Sequence, residues 1–299
     1  LRVAYVTEFG LDEDEQSALN LITLISTDLS AGKIQVFGDS DERYKIRGGN
    51  SKIIENLVQR LDGQVHPGQR LEAIRQRGAG YVLSFQTANQ TLRDVQADYV
   101  LLTLPFSVLR DVHMTLDLPQ VKRKAIQELG YGTNAKVLVG TTQRLWRNKS
   151  YSGEVFSDQP FQLAWDNSQG QAGTAGGLTL FSGGKAGVEV GVGTAEQQSQ
   201  RLMTGVGRVF PGVGAVLNGK VARYHWPSAP FSKGSYACYR PGQWTSIGGA
   251  EFEPVGNLHF AGEHCSSDFQ GFMNGGAETG RRAAEALLAA LGKTRAALA

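Results

Sequence analysis

The chain has 299 residues and a formal net charge of +2, with 30 Lys and Arg against 28 Asp and Glu. It has no Lys/Arg run, which argues against a nucleic-acid partner, and no apolar run of the roughly 18 residues that a spanning helix needs. Cys238 and Cys265 form no C-x-x-C pair, zinc pattern or disulfide framework, and the five histidines are scattered without metal-ligand spacing. A chain of this length can bury roughly 75% of its unfolded surface, enough for one large domain or two smaller ones. No signal peptide is visible, and a soluble, cytoplasmic protein is expected, with export left open; Leu1 reads straight into folded structure, as an internal starting point does.

In chain order, Asp12-Glu13-Asp14-Glu15 resembles a capping box, and Ala18, Leu21, Ile22 and Ile25 follow at helical spacing, so a helix is expected over about 12–27. A polar turn covers 38–44. Gly48-Gly49-Asn50-Ser51 then leads into Ile53, Ile54, Leu57, Val58 and Leu61, a helix with an Asn50 or Ser51 cap and a Gly63 stop. Residues 65–75 and 81–88 read as a hairpin around Gly78-Ala79-Gly80. A buried strand over 97–105 ends at Pro105. A short helix over 119–129 turns Val121, Ala125, Ile126 and Leu129 to one side, and Gly130 ends it. Strands are expected at 135–140, 178–181, 188–192 and 216–226, with a helix over 197–210 and a Gly/Ala loop over 170–176.

The chain is organised around its C-terminal stretch. Leu258-His259-Phe260 is an apolar strand end, Gly262-Glu263 a turn, and a helix follows with Ala283, Ala284, Leu287, Leu288 and Leu291 at helical spacing. Gly271, Gly275, Gly276 and Gly280 crowd its first turns, although each Gly costs about 1 kcal/mol relative to Ala in a helix interior. Close approach by a flat ligand and close packing on a sheet both explain them. A helix N-terminus also suits an anionic group.

Phe260-Ala261-Gly262-Glu263, Gln270-Gly271-Phe272-Met273-Asn274-Gly275 and Glu278-Thr279-Gly280 resemble, in order and spacing, the C-terminal flavin-binding signature of the flavin-containing amine oxidases. That superfamily holds monoamine oxidases, polyamine oxidases and L-amino-acid oxidases. The resemblance implies an α/β (α+β mixed) fold. An incomplete Rossmann-like FAD-binding domain, 39–115 and 227–299, would interleave with a substrate domain of mixed sheet and helices, 1–38 and 116–226. No strand–G-x-G-x-x-G–helix unit occurs; in the family it lies N-terminal to the stretch beginning at Leu1. The expectation is therefore a chain that needs that segment as a companion to hold FAD and to act.

The resemblance also assigns residues. Gly262, Glu263, Gly271, Phe272 and Met273 would line the flavin, as would Gly48 and Gly49 in the Gly-Gly-Asn turn. Leu71 would pass the adenine, Thr103-Leu104-Pro105 would end a strand against the cofactor, and Trp226 would stand by the ring. Lys136, alone in an otherwise apolar strand, either points to solvent or matches the family's flavin-side lysine, which would stabilise anions electrostatically at a lowered pKa. Tyr236 and Phe272 would form a two-walled aromatic slot for a substrate amine; Phe272 stands where many members have Tyr and lacks the hydroxyl. Ser235 stands at the position of the monoamine oxidases' flavin-bonding cysteine, so FAD is expected to be non-covalent. The implied reaction oxidises a small amine to an imine and then a carbonyl compound, with O2 reduced to H2O2. Oxidation of an L-amino acid on the same fold is the alternative, and a non-catalytic, partner-binding fragment is a third reading.

Overall fold

The computed structural model describes residues 1–25, 30, 32 and 44–293. The expected turn over 38–44 lies outside them except for Tyr44, as do the last two residues of the helix expected over 12–27. In chain order the elements are α1 (Arg2–Phe9), α2 (Ala18–Leu24), α3 (Ser51–Gln59), β1 (Gln69–Arg77), β2 (Gly80–Thr87), β3 (Leu92–Ala97), β4 (Val100–Leu102) and α4 (Phe106–Leu109). Then come β5 (His113–Thr115), α5 (Gln120–Glu128), β6 (Ala135–Thr141), β7 (Val155–Phe156), β8 (Leu163–Asp166), β9 (Gly176–Ser182) and α6 (Gly184–Glu189). The chain closes with α7 (Ala195–Val209), β10 (Leu217–His225), α8 (Gln243–Ser246), β11 (Leu258–Phe260) and α9 (Met273–Ala290). The fold is mixed α/β, in two compact units.

The smaller unit comprises Leu21–Val100 and Asp111–Asp117. Its four-stranded sheet has the order β3-β2-β1-β5. The expected hairpin is β1 with β2, antiparallel from Gln69↔Thr87 to Arg77↔Gly80, with a register shift between Leu71 and Ala73. Gly80 is required there, since a Cβ would stand 2.7 Å from the Ala97 carbonyl oxygen. Ile74, Tyr81, Val82 and Leu83 are buried. α3 forms where its spacing predicts, but Ile53, Ile54, Leu57 and Val58 are exposed.

The larger unit comprises Leu1–Asn20, Leu101–Arg110 and Leu118–Ala299. Its antiparallel sheet has the order β10-β6-β9-β8-β7. Successive side chains of a strand face opposite sides. Along β6, Ala135, Val137, Val139 and Thr141 are buried, while Lys136, Leu138 and Gly140 take the other face. Val137, Val139, Leu178 and Leu180 share a core with Leu202 and Val206 of α7. Fully burying side chains of this kind contributes about 1.5–3 kcal/mol each. α7 starts at a capping box in which Thr194 accepts from the Gln197 N–H. β4 pairs with β11 in a separate two-stranded sheet.

Several sequence expectations change. Residues 188–192 form no strand: α6 and a turn occupy them, the Val190 N–H bonding the Ala186 carbonyl. The alternation of Val188, Val190 and Val192 mimics a strand. Yet Val188 and Val192 are exposed, and Gly187 lets the backbone pass the Thr133 carbonyl, where a Cβ would come within 2.2 Å. The helix expected from residue 12 begins at Ala18; 13–15 are a turn, and Asp12 instead ion-pairs with Lys185 at 3.4 Å. The strand over 97–105 shrinks to β4 because Pro105 caps α4. On α5 Val121 is exposed, and Lys122 is buried in its place.

Candidate active site

β11 delivers Gly262, whose φ of 137° belongs to the region that favours glycine; a Cβ would stand 2.6 Å from the His264 ring. The turn is pinned to α9 by Thr279, which is fully buried: its hydroxyl accepts from the Gly262 N–H at 3.0 Å and lies 2.7 Å from the Gly275 carbonyl. Glu263 then spans two segments. Its Oε1 accepts from the Ala237 N–H at 3.1 Å and its Oε2 from the Gly271 N–H at 2.8 Å. Burial pushes this carboxyl up, and the two N–H donors oppose that rise. The link holds the Tyr236 segment against the lead-in to α9, and a Cβ on Gly271 would stand 3.6 Å from the Tyr236 ring.

Tyr236 and Phe272 therefore come from adjoining segments. Phe272 is exposed at the N-cap of α9 and gives the helix no side-chain cap; Met273 is exposed beside it. The Tyr236 hydroxyl donates to the Glu8 carbonyl at the end of α1, and burial pushes it well above the usual phenol range. Gly276 and Gly280 leave open space where a Cβ would sit. Thr103 is exposed, and Leu104 and Pro105 are half-buried, after β4. The Ala261 N–H donates to the Leu102 carbonyl at 3.0 Å, so this strand end lies beside the Gly262 turn.

Lys136 does not reach simply into solvent. Its Nζ lies 5.1 Å from the Phe181 ring centroid, 5.3 Å from that of Trp165 and 5.5 Å from that of Trp226. Ser235 donates to Asn134 Oδ1 at 2.6 Å, and the buried Asn134 donates in turn to the Thr7 carbonyl at 2.7 Å. Cys238 is buried, with the Asn20 amide 3.4 Å from its sulfur. Gly48, Gly49 and Leu71 belong to the smaller unit. Both glycines have positive φ, 89° and 91°, and Leu71 is half-buried at the β1 irregularity.

Sequence reasoning missed a buried polar cluster behind the turn. Lys122, 2% exposed, donates to the Glu251 carbonyl at 2.8 Å and lies 3.9 Å from the Phe260 ring centroid. Burial lowers its pKa to about 8. His264 packs on Phe106 with centroids 4.5 Å apart, and burial, then the Lys122 charge, lowers it to about 3. Its Nε2 has no hydrogen-bond partner among the described residues. The Trp165 and Phe181 walls were missed too; the alternation of Leu163-Ala164-Trp165 was the available signal. Among the described residues no His/Cys/Asp/Glu group could hold a metal ion, and no helix is long and apolar enough to cross a membrane.

The profile of a family described as flavin containing amine oxidoreductase matches residues 6–288. The flavin-containing amine oxidase of Danio rerio is 26% identical over 271 residues, covering 89% of this chain and 51% of the relative. The L-amino acid dehydrogenase of Synechocystis is 25% identical over 279 residues, covering 93% and 57%. The chain thus spans about half the length of the curated relatives it matches. Among solved structures, cyclohexylamine oxidase from Brevibacterium oxydans matches with a TM-score of 0.82 at 19% identity, over 98% of this chain and 64% of the other. Putrescine oxidase matches with a TM-score of 0.72 at 20% identity, over 81% and 53%.

Proposed function

This chain belongs to the flavin containing amine oxidoreductases, and from that premise we propose that it serves FAD-dependent oxidation of a small amine to an imine and then an aldehyde, with O2 reduced to H2O2. The observation that carries the reading is the Glu263 link, which joins the Tyr236 segment to the Gly271-Phe272 segment. It supports an aromatic slot whose walls orient an amine. The chain's residues fit a flat cofactor: Gly262 and Gly271 have positive φ, and Gly276 and Gly280 leave a side of α9 open to close approach.

FAD would be held by Thr103, Leu104, Pro105, Trp226, Gly262, Glu263, Gly271, Phe272 and Met273. The proposed division keeps the cofactor on an incomplete Rossmann-like domain, 39–115 and 227–299, and the substrate on 1–38 and 116–226. Bound FAD supplies the two-electron oxidation of the C–N bond. Lys136 contributes positive charge at the same site. Tyr236, with its hydroxyl engaged by Glu8, acts through its ring face. Ser235 cannot form a thioether and spends its hydroxyl on Asn134, which supports non-covalent binding.

A second reading, oxidation of an L-amino acid, is favoured by the match to the Synechocystis L-amino acid dehydrogenase. The test is flavin retention after gel filtration, then turnover with putrescine and cyclohexylamine against a panel of L-amino acids. Peroxide release with amines supports the first reading, and turnover of amino acids alone supports the second. A protein that takes up no FAD even beside a companion segment carrying a strand–G-x-G-x-x-G–helix unit overturns both and leaves a partner-binding scaffold.

A further inference from the structure

Residues of the candidate site answer the end of α1. The last carbonyls of a helix have no partner within it. Here the Thr7 carbonyl accepts from Asn134 Nδ2 at 2.7 Å, the Glu8 carbonyl accepts from the Tyr236 hydroxyl, and the Gly10 carbonyl accepts from the Thr133 N–H at 2.7 Å. Asn134 is fully buried and immediately precedes β6. Its amide is engaged at both ends, because its Oδ1 accepts from the Ser235 hydroxyl at 2.6 Å. Three glycines make room for it. A Cβ on Gly10 would stand 2.8 Å from its Cγ, one on Gly132 2.8 Å from its Oδ1 and one on Gly183 3.1 Å from its Nδ2. A slot this tight fixes the amide plane, and an amide buried without its hydrogen bonds is costly.

We propose that Asn134 is a positioning residue: bonded to the last turn of α1 on one side and to Ser235 on the other, it sets the Tyr236 ring against the start of β6. The backbone carries part of the link. The Ser235 N–H donates to the Gly132 carbonyl and the Gly132 N–H to the Tyr236 carbonyl, both at 2.9 Å. These bonds place the Tyr236 segment but leave the side-chain torsions of the ring to be set by other contacts. The hydroxyl bond to the Glu8 carbonyl sets them, and it does so as long as the α1 end stays in register with this segment. Asn134 ties the two directly, from the Thr7 carbonyl to Ser235, the neighbour of Tyr236. That the ring faces an amine rests on the function proposed above; the positioning itself does not.

The test uses the full chain with 3-fluorotyrosine in place of tyrosine, read by 19F NMR, the Tyr236 resonance being assigned by its loss in Tyr236→Phe. Ser235→Ala removes the hydroxyl that Asn134 accepts and keeps the Asn134 bond to Thr7. In Ser235→Ala and in Asn134→Ala the Tyr236 resonance should move towards that of the exposed Tyr44. The double variant should move it no further than Asn134→Ala does, because members of one network are not additive. Asn134→Asp supplies a readout that mere filling of the slot would not move. While protonated, the introduced carboxyl offers the same donor and acceptor, and the wild-type resonance should return. Burial raises the pH at which that carboxyl ionises; above it the donor to Thr7 is gone and the resonance should move again. A Tyr236 resonance unchanged in Ser235→Ala overturns the proposal even if Asn134→Ala fails to fold, and so does a double variant whose shift is the sum of the two single shifts. Absence of amine turnover in the flavin-loaded wild type would count against amine oxidation and leave the positioning standing.

Discussion

The Glu263 carboxylate accepts the backbone N–H of Gly271, eight positions further along the chain, at 2.8 Å, while its other oxygen holds Ala237. One side chain thus brings together two segments that each carry an aromatic wall. Glu263→Ala leaves both N–H groups unanswered. It should cost about 1–3 kcal/mol per group left unsatisfied, less where water reaches it. Thermal melts check the loss, and flavin retention should fall with it. Glu263→Gln keeps one acceptor and should lie between.

The two adjacent glycines of α9 should respond with opposite sign. A Cβ on Gly275 would stand 2.3 Å from the Phe269 carbonyl oxygen, whereas Gly276 has nothing within 4 Å. Gly275→Ala should destabilise by about 1–3 kcal/mol through overpacking. Gly276→Ala should stabilise by about 0.5–1 kcal/mol, the helix-propensity gain. Urea titrations of the two variants give the signs directly.

His264 makes stability depend on pH. The unfolded chain binds this proton at the ordinary 6.5, and the fold accepts it only near 3. The stabilisation is therefore complete above 6.5 and is lost as pH falls from there towards 3. The loss is about 1.4 kcal/mol per pH unit. Between pH 7 and pH 5, wild type should lose about 2 kcal/mol more than His264→Leu, measured by urea unfolding at both values.

Tyr236 separates wall from hydroxyl. Tyr236→Phe removes the bond to the Glu8 carbonyl and should cost about 0.5–1.5 kcal/mol while keeping the ring. Tyr236→Ala removes the wall, and amine turnover should drop by on the order of 100-fold, the scale of a misplaced substrate. A Phe variant near wild-type kcat beside an Ala variant that melts similarly but turns over poorly is the expected pattern.

Ser235, hydrogen-bonded to Asn134, offers no thiol for a covalent link. Acid precipitation of the flavin-loaded protein should leave a colourless pellet and put all the flavin in the supernatant, read by its visible absorbance.

By itself, the sequence determined the parts whose signals are local. The Phe260-Ala261-Gly262-Glu263 strand and turn, the helix after Gly271, the β1–β2 hairpin, α3, α5 and α7 all follow from spacing, glycine and caps within a few residues. Tertiary structure decided the rest. The apolar alternation at 188–192 satisfies a strand and a helix-turn alike, and the glycines packed on Thr133 and His225 select the second. Lys122 looks like a surface lysine until the Glu251 carbonyl and the Phe260 ring answer its charge in the core. From β6 alone Lys136 reads first as a solvent-facing lysine. Its rings come from β8, β9 and the end of β10, between 29 and 90 residues further along the chain. Cross-strand register sets that meeting, and a pairing between distant strands leaves no trace in the local order of residues.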